Sequence, residues 1–279
     1  MPKPHCDERL APWRLSDPQD EGPRDLADYD PGAQPFAEAS RAEGKRAVER
    51  LAEEIDALQD LFYADRRHKL LVILQGTDAS GKDGTIRHIL ARTSPLGVRA
   101  VGWRAPTQVE RDHDYLWRIH RQVPAAGEIV VFNRSHYEDV LVPVVDGWID
   151  AEETARRFAQ IRDFERMLSE TGTTVLKFLL HIGKEEQRKR LQARLDDPRK
   201  NWKLVPDDLA VRRRWDDYQR AYGAVLGATA TRWAPWIVVP ADSKTHRNLM
   251  VGTVLRDTLR VLDLRYPPAD PAIAGLSVD

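Results

Sequence analysis

The stretch LLVILQGTDASGKDGT, Leu70 to Thr85, joins a short apolar run to a Gly-x-x-x-x-Gly-Lys loop, and helix-forming sequence follows directly. That order suits phosphate binding: a strand behind holds the loop, and the N-terminus of the helix ahead adds partial positive charge. Backbone N–H groups from Asp78 to Gly84 can turn inward around phosphate oxygens. Gly76 and Gly81 permit turns that a Cβ would block. Lys82 brings a mobile point charge to a bridging phosphate. The expected phosphate-binding set is Gly76, Ala79, Ser80, Gly81, Lys82, Asp83, Gly84 and Thr85.

One position departs from the usual loop. Where a P-loop places Ser or Thr for magnesium, this chain has Asp83, and Thr85 is expected to face elsewhere. Clustered phosphates still need Mg2+ to offset their charge, so another oxygen ligand is required. Asp78, inside the loop, is the candidate metal ligand.

Outward from the loop, strands and helices alternate. Leu70–Gln75, Val98–Trp103, Glu128–Asn133, Thr173–His181 and Trp236–Val239 read as strands. The periodicity predicts helices over Ala37–Phe62, Lys82–Ala91, Asp112–Arg121, Ala151–Glu170, Lys184–Leu195, Asp207–Ala228 and Ser243–Leu264. Alternation of this kind means an α/β fold, a parallel β-sheet flanked by helices in three layers. Residues 1–35, rich in Pro and Asp, read as an irregular arm, and 36–279 as a single P-loop domain. Within it, about 184–214 reads as a helical lid over the strand ends, where open α/β sheets bind ligands.

The chain has 279 residues, 42% hydrophobic and 31% charged, with a formal net charge of -1. No apolar run is long enough to cross a bilayer, and the N-terminus lacks the apolar segment of a signal peptide, so a cytoplasmic protein with no membrane partner is expected. The lone cysteine, Cys6, cannot form an intrachain disulfide. A near-neutral balance argues against a general nucleic-acid coat. Basic residues are nevertheless concentrated between Lys184 and Arg214, and at Arg104, Arg111, Arg118 and Arg121, a distribution that suits a discrete polyanionic ligand.

A second constellation, FNRSHYEDV, follows the third strand at Phe132–Val140. Arg134 can grip an acceptor phosphate with its planar fork. Asp139 is expected to take a metal-bound water or to orient Arg134. His136 reads as a turn histidine with no proton to transfer. Phosphoryl transfer needs alignment and charge neutralisation more than a nucleophilic side chain, so Asp78 is placed to bind metal, to orient the attacking oxygen, or both. Arg190 and Arg194, one helical turn apart, can converge on one ligand with Lys203. Trp202 is expected to pack the lid onto the core. Asn133, Arg118 and Arg121 are secondary candidates.

With these motifs in place, the chain resembles polyphosphate kinase family 2. The resemblance rests on GTDASGKDGT at Gly76, HDYLWRIH at His113, GEIVVFNRSHYEDV at Gly127, KEEQRKRLQARLDDPRKNWK at Lys184 and APWIVVPADSK at Ala234. It implies a P-loop kinase core with a helical lid, moving a terminal phosphoryl group between inorganic polyphosphate and nucleotides (AMP, ADP, ATP) with magnesium. Asp78 and Lys82 match the family's loop residues, Arg134 its second-motif arginine, and Arg190 and Arg194 its lid arginines. Asn133 stands where many members carry Asp, so that aspartate's metal role does not transfer. NRSHYEDV resembles the third class, which accepts both AMP and ADP. An ATP-dependent nucleoside monophosphate kinase and a non-catalytic polyphosphate-binding regulator are the alternatives, and a homo-oligomer is expected.

Overall fold

The computed structural model describes residues 7–17, 22–273 and 276–278; Cys6 lies outside them. Among the described residues one sheet forms from β1 (Arg14–Leu15), β2 (Lys69–Gln75), β3 (Val98–Gly102), β4 (Ile129–Asn133), β5 (Thr173–His181) and β6 (Trp236–Pro240). The spatial order is β1-β6-β5-β2-β4-β3, with β2 central. All neighbours run parallel except β1, which pairs antiparallel with β6.

The central strand explains the layering. Successive side chains of a strand point to opposite faces. Accordingly Leu70, Val72 and Leu74 enter one apolar core, and Leu71 and Ile73 enter the other. The first core is closed by α1 (Arg41–Asp65), α2 (Lys82–Ile89) and α10 (Lys244–Arg260); the second by α5 (Glu138–Val145), α6 (Ala151–Glu170) and α9 (Trp215–Thr229). Helix α1 starts at Ser40, whose hydroxyl accepts from the Glu43 N–H, and buries Val48, Leu51, Ile55 and Phe62 along α10. The result is the three-layer α/β fold that the alternation implied.

Four local features differ from the sequence reading. The expected helix Asp112–Arg121 is two single turns, α3 (Gln108–Arg111) and α4 (Trp117–His120). A Thr107–Glu110 capping box starts the first, and the Asp114 carboxylate accepts from the Leu116 N–H to turn the chain between them. The helix expected over Asp207–Ala228 is α8 (Pro206–Arg213) and α9, broken at Arg214, whose guanidinium is bonded to the Val145 carbonyl and Asp146 at the end of α5. Helix α5 itself is unexpected, because EDVLVPVV carries β-branched residues and Pro143. Finally the N-terminal arm, although mostly irregular, packs on its own sheet: Leu10, Leu15 and Leu26 are buried. Gly223 and Gly227 of α9 let the Gly22 and Arg24 carbonyls approach where any Cβ would collide.

Helix α7 (Lys184–Leu195), a 3-10 turn at Asn201–Lys203 and α8 project beyond the C-terminal ends of the parallel strands. No described helix is long and apolar enough to cross a membrane.

Candidate active site

The loop between β2 and α2 takes the shape its glycines permit. Gly76 has φ 144° and Gly81 φ 106°. A Cβ on Gly76 would lie 2.6 Å from the Leu180 carbonyl oxygen, and one on Gly81 would fall on the Arg247 guanidinium. Lys82 curls back under the loop, its Nζ donating to the carbonyls of Gly76 (2.6 Å) and Thr77 (3.3 Å). Burial, with the positive charge of Arg134 adding to it, lowers its pKa to about 8, against the pull of Asp78. Thr85 faces away, fully buried, with its hydroxyl directed at Asn248.

At the end of β4 the chain turns sharply, and Arg134 adopts the left-handed conformation with φ 65°. Its N–H donates to the Leu74 carbonyl, tying the turn to β2. The guanidinium donates to Asp78 at 2.5 Å and to Glu138 at 3.2 Å. Glu138 above all, with Asp78, raises the Arg134 pKa above its ordinary value, outweighing burial. The two motifs found separately in sequence therefore meet through the Asp78–Arg134 pair. They meet again at Asn133, whose amide donates to the Asp83 carboxylate at 2.5 Å.

Asp139 does not orient Arg134; that position belongs to Glu138. Asp139 instead accepts from Arg118 at 3.4 Å. Residues 138 and 139 open α5, and neighbours on a helix diverge by about 100°. Burial raises the Asp139 pKa against the charge of Arg118. Arg118 is itself buried, donates to the Arg104 carbonyl at 2.9 Å and lies over the Trp103 ring, so it supports the cleft wall from behind. Arg121 stacks on Trp117. Neither arginine lines the cleft, and nor does Asp139.

The cleft has a volume of about 1460 Å³ and runs from the loop between α1, α7, α8 and α10. Arg190 reaches down from α7 to bond the Ala79, Ser80, Ala241 and Asp242 carbonyls, so it cross-links the loop to the end of β6. Arg194 lines the cleft while donating to the Lys203 carbonyl at 3.2 Å. Lys203, Lys189, Lys200, Lys244 and Lys45 extend a basic wall along it. Asp208 of α8 also lines it, its pKa raised by burial and by the negative charge of Asp78.

Sequence reasoning missed Arg247 of α10. It is buried, donates to the Ser80 carbonyl at 3.1 Å and is braced on Asn248; burial and the charge of Arg190 lower its pKa to about 9. A signal existed: Arg247 stands in register with Val251 and Val254, a charge on the apolar stripe of its helix. His136 lies in the turn before α5, as its sequence position suggested, but is fully buried, 3.5 Å from Glu165. Beneath the 134–138 turn, Lys177 of β5 donates to Glu165 (2.6 Å), the Tyr137 hydroxyl (2.8 Å) and the Thr229 carbonyl (2.8 Å). Tyr137 in turn donates to Glu165 at 2.7 Å.

Among the described residues no three His, Cys, Asp or Glu side chains converge as a ready metal cage. Magnesium needs none, since it is bound through one or two carboxylates plus substrate phosphates and water. Asp78 on the loop and Asp83 in the first turn of α2, both lining the cleft, fit that donor set.

Comparison with known proteins agrees with this geometry. Residues 38–266 match the family model described as Polyphosphate kinase 2 (PPK2). The chain is 47% identical over 261 residues to the AMP/ADP-polyphosphate phosphotransferase of Meiothermus ruber, covering 94% of this chain and 98% of that protein. It is 40% identical to the ADP-polyphosphate phosphotransferase of Rhodopseudomonas palustris over 89% of this chain and 90% of that one. The crystal structure of Polyphosphate Kinase 2 from Arthrobacter aurescens TC1 superposes with a TM-score of 0.88 at 43% identity, covering 94% of this chain and 92% of that chain. A phosphate loop joined to a second-motif arginine at the mouth of a basic cleft, on a chain matched over most of its length, places this protein in the polyphosphate kinase 2 family.

Proposed function

We propose that the protein transfers the terminal phosphoryl group of inorganic polyphosphate to AMP and to ADP, reversibly and with Mg2+. The observation that carries this reading is the Asp78–Arg134 pair at 2.5 Å beside Lys82, in a cleft that Lys45, Lys189, Lys200, Lys203 and Lys244 also line. Polyphosphate offers the loop the same tetrahedral oxygens as the end of ATP but extends as a chain of charge, which such a wall can accompany.

In this reading the polyphosphate end lies over the loop amides and Lys82. A terminal oxygen of the acceptor nucleotide attacks the terminal phosphorus, the bond to the next bridging oxygen breaks, and the shortened chain leaves as the anion. Lys82 neutralises charge at the bridging oxygen, and Arg134 aligns the acceptor phosphate. When bound, magnesium would offset charge between the two substrates, with Asp78 as its protein ligand. Residues 184–214 act as a lid that carries Arg194 and Lys203 over the donor, while Arg190 stays bound to the loop. The kinase domain of 36–279, with the N-terminal arm packed on its sheet through β1, works in the cytoplasm and assembles as a homo-oligomer. The NRSHYEDV segment and the M. ruber relative's name both support the dual acceptor range.

The test is chromatography of products from AMP, and separately from ADP, with long-chain polyphosphate and Mg2+ and no ATP. ADP followed by ATP from AMP is expected. Product from ADP alone would remove AMP from the acceptor range.

A further inference from the structure

Trp202 does not pack the lid onto the core, as the sequence suggested. Its side chain is 76% exposed at the turn between α7 and α8, yet it lines the cleft. Two of the eight tryptophans are exposed, Trp148 and Trp202, and Trp148 lies away from the cleft. Trp103 also lines the cleft, but its ring is spent edge-on against Phe132 with Arg118 behind it. An indole left in solvent forfeits the burial that normally favours tryptophan. Nor is this ring loose: its Nε1 donates to the Arg199 carbonyl at 3.1 Å, and the Lys203 ammonium sits 5.0 Å from the ring centroid.

The surroundings define what such a ring can hold. The face of an indole carries negative quadrupole potential, so it offers nothing to a bare phosphate chain. Of the ligand classes that enter this cleft, the nucleotide alone brings a π-face. Arg134, the residue assigned to the acceptor phosphate, lines the same cleft as Trp202, so base and phosphate of one nucleotide share it. We infer that Trp202 is a stacking platform for the nucleobase of the bound nucleotide. This rests on the reading of the cleft as a nucleotide phosphotransferase site.

Two measurements test it. In kinetics, Trp202→Ala should raise KM for AMP about tenfold, the range of base–aromatic stacking, with KM for polyphosphate unchanged. Trp202→Phe, which keeps a π-face, should restore KM for AMP to within a few-fold of wild type. An unchanged KM for AMP, or an equal rise for both substrates, would overturn the platform and mark a role in lid structure. The second measurement does not depend on the alanine variant folding. In Trp148→Phe protein, where Trp202 remains as the exposed indole, AMP should protect the emission from acrylamide quenching and ribose 5-phosphate should not. Absence of protection by AMP, or equal protection by the base-free phosphate, would overturn the inference. Protection by AMP in a protein that takes no phosphoryl group from polyphosphate would support the platform while refuting the donor assignment.

Discussion

Replacing Lys177 by Met should destabilise the protein by about 3–5 kcal/mol, the cost of leaving a buried partner charge uncompensated. The geometry sets that scale. Lys177 and Glu165 are both fully buried, and the ammonium holds Glu165, Tyr137 and the Thr229 carbonyl at 2.6–2.8 Å. Burial pushes the Glu165 carboxyl up, but Lys177 and His136 together outweigh it and hold its pKa below the ordinary value. Methionine nearly preserves the volume, so the loss is electrostatic rather than a cavity. For a chain of this size the melting temperature should fall by roughly 5–9 °C. The double variant Lys177→Met/Glu165→Leu removes both charges and should recover much of the loss, since paired burial is often near neutral against apolar replacement. Tyr137 lies in the turn that starts with Arg134, so Lys177→Met should also lower kcat at temperatures where the protein remains folded. Thermal unfolding by circular dichroism, with the double-mutant cycle, checks the claim. A single variant within 1 kcal/mol of wild type, or a double variant as unstable as the sum of the singles, would refute the reasoning.

Lys82→Ala and Asp78→Asn should each abolish turnover with the fold retained, and a normal rate in either would remove that residue from the mechanism. Because burial holds Lys82 at about 8 instead of its ordinary 10.5, its charge is present below that pH and lost above it. kcat/KM for polyphosphate, which reports the free enzyme, should therefore fall as pH rises through about 8, and a flat profile to pH 9.5 would contradict this. Asn133→Asp sets a second carboxylate against Asp83, where an amide now donates at 2.5 Å. It should make activity depend more steeply on Mg2+ or change the preference between AMP and ADP; unchanged kinetics with both would show that Asn133 is no determinant. Polyphosphate affinity should fall steeply with added salt by counterion release, and salt-independent affinity would remove the basic wall from donor binding.

Much of this was legible in the chain because it is local. The apolar run, the glycines and Lys82 lie within a few residues of one another, so strand, loop and helix could be read together. Features set by tertiary contact were not. The left-handed turn at Arg134 chooses Glu138 over Asp139 as partner, and no spacing rule announces that. Helix α5 forms against propensity because its apolar face is buried, and Arg214 breaks a helix to reach the end of α5. Arg190 and Arg194 share a helix face but not a task, since one is bonded to the loop and the other lines the open cleft. Trp202 was misjudged because hydrophobicity predicts burial on average, whereas exposure on a lid can be reserved for a ligand.

The most direct test of the central claim follows the phosphorus itself: polyphosphate labelled with 32P in its terminal group, incubated with AMP and Mg2+ in a single turnover. The label should appear in the β-phosphate of ADP, in wild type and not in Lys82→Ala. Label remaining in polyphosphate or released as free phosphate, in an enzyme that does label ADP from γ-32P ATP, would contradict the account.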